Sequence, residues 1–429
     1  MKIAFITAGA GKSYCGSCLH DILLIQSLID SGHNVKVIDM YTPLSVDFDA
    51  PPLPVKKIHY SGINTYLRQK FAFFRRRPLA LSKLFESPSV VNFALGFGMD
   101  VSPVQLGEMT LSVLKGKDGN QALDLAGVME ELKKSAPYDV CVLSNSMLSA
   151  LAPEIKRELK APVICQLMGE EAFISLLGEP YRTGSIEALR KNVLAVDAFI
   201  SHSGEYSKIM SDFLGRKAED IIAVNPSVNS ALYEGIKRRK TPFTVGFLSK
   251  LNKAKGFDEL LSAFIILVKE HKADAKLLAG GEILDGESKA YFEAVRRKAK
   301  AAGIEDRFKY LGRLEFAAKK EFFAGCSVFS VPSLFPESKG IAALEALAAG
   351  IPVALPGHGA YSDIVKNTGG GLLYKPGDIR GLSAILKKFN DEPALADSLG
   401  EAGRESVKSR YSVKKMTEMN IEVYRKVQI

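Results

Sequence analysis

The chain has 429 residues, 47% of them hydrophobic and 24% charged, with a formal net charge of +9. That length suits two domains, and the balance is that of a globular enzyme rather than a disordered or fibrous chain. The longest apolar run, LLSAFIILV, is closed by Lys269 and Glu270 and is far short of the roughly 20 residues that cross a bilayer. The opening MKIAFITAGAGKS is too short and too glycine-broken to be expected to act as a signal peptide. Five scattered cysteines, an odd number, point to a reducing cytoplasm and free thiols. The positive charge suits phosphates or an anionic lipid surface. No zinc-finger spacing or ribonucleoprotein signature accompanies it, so nucleic acid is not an expected partner.

In chain order, KIAFIT reads as a strand that runs into a glycine-rich turn. The segment CLHDILLIQSLIDSG reads as a helix with Gly32 at its C-terminal end, and NVKVIDM as a second strand. A β-α-β opening implies a right-handed crossover and a parallel sheet. Residues 55–135 interrupt the rhythm with helical material. The strands YDVCVLS, APVICQLMG, VDAFISHS and DIIAVN then follow. A basic, proline-ended break lies at ALYEGIKRRKTPF. The alternation restarts with FTVGFLS and continues through AKLLAGG, FKYLG, SVFSVPS and PVALP, with helices between them. The last stretch, YSVKKMTEMNIEVYRKVQI, has the apolar spacing of an amphipathic helix.

The reading is an α/β protein of two Rossmann-like domains facing each other across a cleft. The first spans residues 1–232, with a helical insert at about 55–135 and a C-terminal helix, 411–429, packing back on it. The second spans residues 241–410. Open α/β sheets bind ligands at the carboxyl ends of their strands.

The segment SLFPESKGIAALEALAAGIPVALP carries the strongest chemical signal. Pro336 keeps the chain non-helical before Glu337. A helix is expected to begin near Lys339, to bury Ile341, Leu344 and Leu347, and to stop at Gly350. Glu337 then lies in a loop at a helix N-terminus, where the amides of residues 338–342 favour an anion. Glu345 lies in the helix. Two such carboxylates can accept hydroxyl groups of a sugar and of a second diol, with a pyrophosphate between them at the amides. The plain alternative is an acidic loop followed by a solvated glutamate.

This segment resembles the glutamate–seven residues–glutamate motif of the retaining glycosyltransferases of family 4, which have the GT-B fold. The similarity continues through GFLSKLNKAKGFDELLSAF, LLAGG, YLGRL, AALEALAAGIPVALPGHGAYSDIV and GGGLLYKPGD. It is more diffuse in GINTYLRQKF, QLMGEEAF and PSVN, and is most specific over residues 245–378. The resemblance implies that Glu337 contacts donor-sugar hydroxyls, and that Ser338, Lys339, Gly340, Ile341 and Ala342 offer amides to the sugar and distal phosphate. Glu345 would hold the ribose, and Lys250 and Lys255 would neutralise the diphosphate. Gly312, Arg313 and Leu314 would line the base pocket, with Gly246 and Gly281 also on the donor side. Gly9, Ala10 and Gly11 would let the first domain's backbone approach the diphosphate. Lys12, Asn145 and Met168 are read as acceptor-side residues.

Three positions depart from the family pattern. Lys250 stands where arginine is more usual, which keeps the charge but loses the bidentate fork. Met168 replaces a histidine, so that residue's role does not carry over, and Glu170 is the substitute candidate. Asp363 stands where glutamate is frequent.

The implied reaction is transfer of a glycosyl group from a UDP- or GDP-sugar, with retention, to a hydroxyl of a glycan, lipid-linked or small-molecule acceptor. No cofactor is expected, and no metal, since lysines and amides supply the positive charge. A nucleotide-sugar-binding protein without transferase activity, or another GT-B enzyme such as an epimerase or phosphorylase, is the alternative.

Other motifs in the chain are weaker. Gly11-Lys12-Ser13 ends like a P-loop, but the first glycine would fall on Ile6. A dinucleotide turn needs a glycine where Tyr14 stands, although Asp39 ends the second strand where a ribose would lie. Cys15 and Cys18 have redox spacing but no second Cys/His pair, and read as small thiols at a helix start. His20 and His358 are candidates by position only. Residues 66–85, YLRQKFAFFRRRPLALSKLF, mix aromatics with a basic run and fit either peripheral contact with an anionic inner-membrane face or a packed amphipathic insert. Both readings expect exposed arginines at 75–77.

Overall fold

The computed structural model of the protein describes residues 1–8, 16–40, 68, 69, 75, 103–237 and 241–428. The chain divides into two compact units: Met1–Val224 together with Met416–Ile429, and Asn225–Lys415.

The first unit runs β1 (Lys2–Thr7), α1 (Gly16–Asp30), β2 (Asn34–Asp39), α2 (Pro103–Leu114), α3 (Ala122–Lys133), β3 (Val140–Leu143), α4 (Leu151–Glu158), β4 (Val163–Gln166), α5 (Glu170–Ser175), α6 (Tyr181–Asn192), β5 (Ala198–Ser201), α7 (Gly204–Leu214) and β6 (Ile221–Ala223). The strands are parallel in the order β2-β1-β3-β4-β5-β6. Ile3, Ala4, Phe5 and Ile6 are all buried, so helices cover both faces of the sheet and the strand reads as one apolar run. Local signals set the helix ends. The Ser203 hydroxyl accepts the Tyr206 N–H at 3.0 Å at the start of α7, and left-handed Gly215 ends it.

The second unit runs β7 (Phe243–Leu248), α8 (Phe257–Lys269), β8 (Ala275–Gly280), α9 (Gly286–Ala301), β9 (Phe308–Tyr310), α10 (Phe316–Ala324), β10 (Val328–Phe329), α11 (Ile341–Ala348), β11 (Val353–Pro356), α12 (Ala360–Thr368), β12 (Gly371–Tyr374), α13 (Ile379–Asp391) and α14 (Pro393–Arg410). Its strands are parallel in the order β12-β11-β10-β7-β8-β9. Tilted aromatic rings fill the core on one side, with Phe257 lying 4.7 Å from Phe247 and 5.6 Å from Phe308 between ring centres. A final helix, α15 (Val413–Lys426), enters the first unit from Met416 onward.

Two local details differ from the sequence reading. Residues 225–232 go with the second unit: the Val228 N–H donates to the Tyr411 carbonyl, and the Tyr233 ring packs against Phe316 and Phe323. The helix after Glu337 begins at Ile341, two residues late, because Gly340 takes a left-handed backbone (φ +66°) as its N-cap. Gly246 lies inside β7, where a Cβ would meet the Cys326 sulfur at 2.4 Å, so its lack of a side chain serves core packing. Among the described residues, no helix is long and apolar enough to cross a membrane.

Candidate functional site

In the second unit, the loops after β7 and β10 meet at the carboxyl edge of the sheet. Asn252 caps the 3-10 turn Lys253–Lys255 by accepting the Lys255 N–H. Gly256 follows with φ +67°, and a Cβ there would sit 1.9 Å from the Pro332 carbonyl oxygen. Only glycine permits that approach. The Leu334 N–H donates to the Ala254 carbonyl at 2.9 Å and ties the two loops together. Lys255 and Glu337 are thereby brought into a direct ion pair, Nζ on Oε1, although 82 residues separate them.

The backbone of Glu337 is fixed from its other side. Its carbonyl accepts the Ala360 N–H at 2.8 Å, at the start of α12. Gly359, with φ +54°, packs so closely that a Cβ would lie 2.6 Å from that same carbonyl. The carboxylate therefore stands on a braced loop just ahead of α11. There the first intrahelical bonds run from Ala343 and Leu344 to the Gly340 carbonyl. The N–H groups of Ile341 and Ala342 precede those bonds and have no turn of helix behind them. They present positive dipole ends at the same place.

Burial pushes the Glu337 carboxyl upward, but the Lys255 ammonium, Lys339 and the Ser333 hydroxyl outweigh it, and it titrates below the ordinary glutamate range. It is an ionised acceptor at neutral pH. His358, a candidate by position, donates its Nε2–H to the Ser333 carbonyl at 3.0 Å. Burial, the largest influence, holds its pKa down against that bond and the Glu337 charge, so the ring is neutral. It braces the Ser333 turn rather than carrying charge.

Lys250 lies two residues past β7 on the same edge and is half-buried. Ser338 and Lys339 are buried in the Glu337 loop. Gly281, at the end of β8, donates its N–H to the Gly312 carbonyl at 2.8 Å, and a Cβ on it would strike the Ser249 carbonyl. Gly312, at φ +72°, faces open space. Arg313 is exposed, with Glu282 and Glu315 each 3.6 Å from its guanidinium. Leu314 turns inward and packs where a Gly280 side chain would be, so it belongs to the core rather than to a pocket wall.

Glu345 is more enclosed than a solvated glutamate. It is 2% exposed, and its Oε1 accepts both the Tyr233 hydroxyl at 2.7 Å and the Lys319 ammonium at 3.1 Å. Sequence reasoning found neither partner. The only available sign was the spacing of Phe316, Lys319 and Phe323, which puts them on one face of α10.

In the first unit, the Glu170 carboxylate is engaged by backbone amides. Oε1 accepts the Ser146 N–H at 2.7 Å, and Oε2 accepts the N–H groups of Met168 at 2.7 Å and Gly169 at 2.9 Å. It binds the loop after β3 to the loop after β4. Asn145 likewise caps a turn, accepting the Met147 N–H at 3.1 Å. The Met168 sulfur lies 3.4 Å from Nε2 of His202, a histidine at the end of β5 that was not singled out in the sequence. His202 also stacks edge-on against His20, whose Nε2 meets the Gln166 side chain at 2.9 Å. Asp39 accepts the Thr7 hydroxyl at 2.7 Å. Next to Glu170, Glu171 is buried and receives the Tyr206 hydroxyl; burial drives its pKa up to about 7.

Gly9, Ala10, Gly11, Lys12 and Cys15 lie outside the described residues. Cys18 is a buried free thiol, as are Cys141, Cys165 and Cys326, the last three with pKa values raised by burial. Of residues 66–85, only 68, 69 and 75 are described. Arg68 is buried 3.1 Å from Asp124. Arg75, expected to be exposed, is half-buried and donates to the carbonyls of Arg68 and Gln69.

Residues 232–406 match the model of the family described as Glycosyl transferases group 1. The chain is 27% identical over 283 residues to a GDP-mannose-dependent monoacylated alpha-(1-6)-phosphatidylinositol monomannoside mannosyltransferase of Corynebacterium glutamicum, a match covering 62% of this chain and 70% of the relative. It is 28% identical over 213 residues to a 2-deoxystreptamine glucosyltransferase of Streptomyces kanamyceticus, covering 48% of this chain and 53% of the relative. Anabaena Alr3699/HepE, solved in complex with UDP, superposes with a TM-score of 0.67 at 16% identity, over 99% of this chain and all of that one. The sucrose-phosphate synthase of Thermosynechococcus elongatus gives 0.72 at 15% identity, over all of this chain and 99% of that one. The two six-stranded parallel sheets are therefore those of the GT-B fold, and residues 232–406 carry the sequence pattern of group 1 glycosyltransferases.

Proposed function

We propose that the protein is a retaining glycosyltransferase that moves a sugar from a nucleoside-diphosphate sugar to a hydroxyl acceptor. The observation that carries this reading is the Lys255–Glu337 ion pair, set on the carboxyl edge of the second sheet beside the first turn of α11. Glu337 accepts hydroxyl hydrogens of the donor sugar. Lys255, Lys250 and the first amides of α11 face the diphosphate. As the anomeric carbon–oxygen bond breaks, positive charge builds on the sugar ring and negative charge on the departing phosphate. The prearranged cations and amides stabilise the second of these. The acceptor oxygen then bonds the anomeric carbon, and its proton passes to the departing phosphate oxygen. No side-chain base is needed for that transfer, which agrees with Glu170 being occupied by backbone amides.

The names of the relatives favour a nucleotide-sugar donor and leave UDP- and GDP-sugars both in play. A second reading, a nucleotide-sugar-binding protein without transferase activity, draws on Met168 and on the occupied Glu170. The test is a panel of UDP- and GDP-sugars with hydroxyl acceptors. Release of nucleoside diphosphate only when an acceptor is present supports transfer. Binding without release supports the second reading. The anomeric configuration of the product decides retention.

A further inference from the structure

We infer that the first unit carries a site of its own: a polar cavity that binds a single neutral polyol ring, a sugar or cyclitol unit of the acceptor. That the ring belongs to the acceptor rests on the transfer reading above, whereas the cavity and what it can hold do not.

The cavity measures about 210 Å³ and lies between α2, the turn that follows it and the start of α6. That is below the roughly 300–1,000 Å³ of pockets for drug-sized ligands, so it admits one small ring and not an extended chain. Two glycines shape it. A Cβ on Gly107 would lie 2.8 Å from the Tyr181 ring, which therefore rests on the backbone of α2. A Cβ on Gly119 would lie 1.9 Å from the Ser112 carbonyl oxygen, so its absence lets the turn fold back on α2. The same turn sets Gly116 against Ala150, in the connection that leaves the carboxyl end of β3. Open α/β sheets bind ligands on that side. Lys115 and Asp118 are exposed at the rim, so solvent reaches the cavity.

The polar groups of the wall are oriented by a relay that begins at a backbone amide. The Asn120 N–H donates to the Ser112 hydroxyl at 2.8 Å, so that hydroxyl passes its own hydrogen to Oε1 of Gln121, also at 2.8 Å. Gln121 then turns its amide nitrogen to Oε1 of Gln69, which also accepts from Nδ2 of Asn120 at 2.9 Å. Arg75 holds the Gln69 carbonyl at 2.8 Å. Among the described residues, two groups are left without a partner: the N–H donors of Gln69 and the Oδ1 acceptor of Asn120. Oε1 of Glu108 takes the Tyr181 hydroxyl at 3.0 Å, which leaves Oε2 and the tyrosine lone pairs as further acceptors. A hydroxyl both donates and accepts, and a polyol ring carries several, which suits a wall of mixed donors and acceptors. Two carboxylates against one ammonium disfavour a phosphate. Leu111 and the Tyr181 ring supply the apolar part of the lining. The plain alternative is a surface dent that holds water, and such a dent has no need of amides locked in one orientation.

The experiment is an NMR titration of glucose, mannose, galactose and myo-inositol onto the full chain and onto Gln69→Ala and Glu108→Ala, both at half-buried positions outside the core. The wild type is expected to bind at least one of the four rings with a Kd of about 1 mM. Each variant should weaken that ring by about fivefold or more, the worth of one or two hydrogen bonds, with its melting temperature nearly unchanged. If one variant does not fold, the other decides. In the transfer assay the same variants should raise the acceptor KM by a similar factor and leave the donor KM unaltered. No ring bound by the wild type, or equal binding in a folded variant, overturns the site. So does glucose 6-phosphate held more tightly than glucose and released by Lys115→Ala. Ring binding lost in the variants with the acceptor KM unmoved overturns the assignment to the acceptor. If the wild type transfers no sugar at all, the transfer reading fails and that assignment with it, while the ring site is still decided by the titration.

Discussion

The two units share a six-stranded parallel sheet but use the carboxylates at its carboxyl edge in opposite ways. In the first unit Glu170 is engaged: three backbone N–H groups donate to its two oxygens, tying together the loops after β3 and β4. In the second unit the corresponding edge is braced without the Glu337 carboxylate, through Gly256 against Pro332, Leu334 to Ala254, Ala360 to Glu337, the Asn252 cap and the His358 bond to Ser333. The Glu337 side chain is thereby left to pair with a mobile type of partner, a lysine ammonium, that a diphosphate can share. A carboxylate that holds a loop must stay put. One held by a loop is available for chemistry.

The sharpest way to break this contrast is Glu337→Ala. It should lower transfer by about a thousandfold, as loss of a group contacting the reacting sugar does. Stability should change by about 1 kcal/mol or less, because Lys255 keeps access to solvent. Near-normal turnover in a folded variant would put the chemistry elsewhere. Lys255→Met should cost about a hundredfold in transfer, mainly in kcat, since the lysine meets charge that grows as the bond breaks. A change confined to donor KM would show that it only binds.

Glu170→Gln should do the reverse. It removes charge-assisted bonds to backbone amides and should cost about 2 kcal/mol of stability. Transfer should stay within about fivefold of the wild type wherever the protein is folded. A large loss of transfer with an unaltered melting temperature would return Glu170 to the reacting centre and erase the difference between the units.

What the sequence disclosed follows the range of the interactions involved. The β-α-β alternation was legible because period and punctuation are local, from the KIAFIT strand to the glycine stops at Gly32 and Gly350. The Glu337 loop was legible because Pro336, Gly340 and Gly350 frame it within fifteen residues. Sheet order was not, since β10 inserts between β11 and β7 through pairings far apart in the chain. The roles of Glu170, Lys319 and Tyr233 were hidden for the same reason. A carboxylate after a strand looks identical whether it faces a sugar or three amides. Lys319 stands beside Lys320 in AAKKEFF, and only the fold turns one inward to Glu345. The packing of Gly246 was hidden too, because a glycine in a strand suits either a ligand or a neighbouring sulfur, and Cys326 is 80 residues away.

Glu171 offers the subtlest test, because it sets the pH responses of the two units against each other. Burial, the largest influence, raises its pKa from an ordinary 4.5 to about 7; Glu170 raises it further, and the Tyr206 hydroxyl and nearby amides oppose. Between those values the folded chain binds a proton that the unfolded chain has released. Stability from this group is therefore full below about pH 4.5 and declines as pH rises through about 7. Glu337, shifted the other way, contributes stability that is lost on acidification. Glu171→Gln replaces the titrating group with a neutral one of the same shape that still accepts from Tyr206. Relative to that variant, the wild type should lose about 1 to 2 kcal/mol between pH 5 and pH 7.5, seen as a widening gap in melting temperature. A gap that stays constant over this range would mean that Glu171 is ionised throughout, and that its response to pH does not differ in kind from that of Glu337.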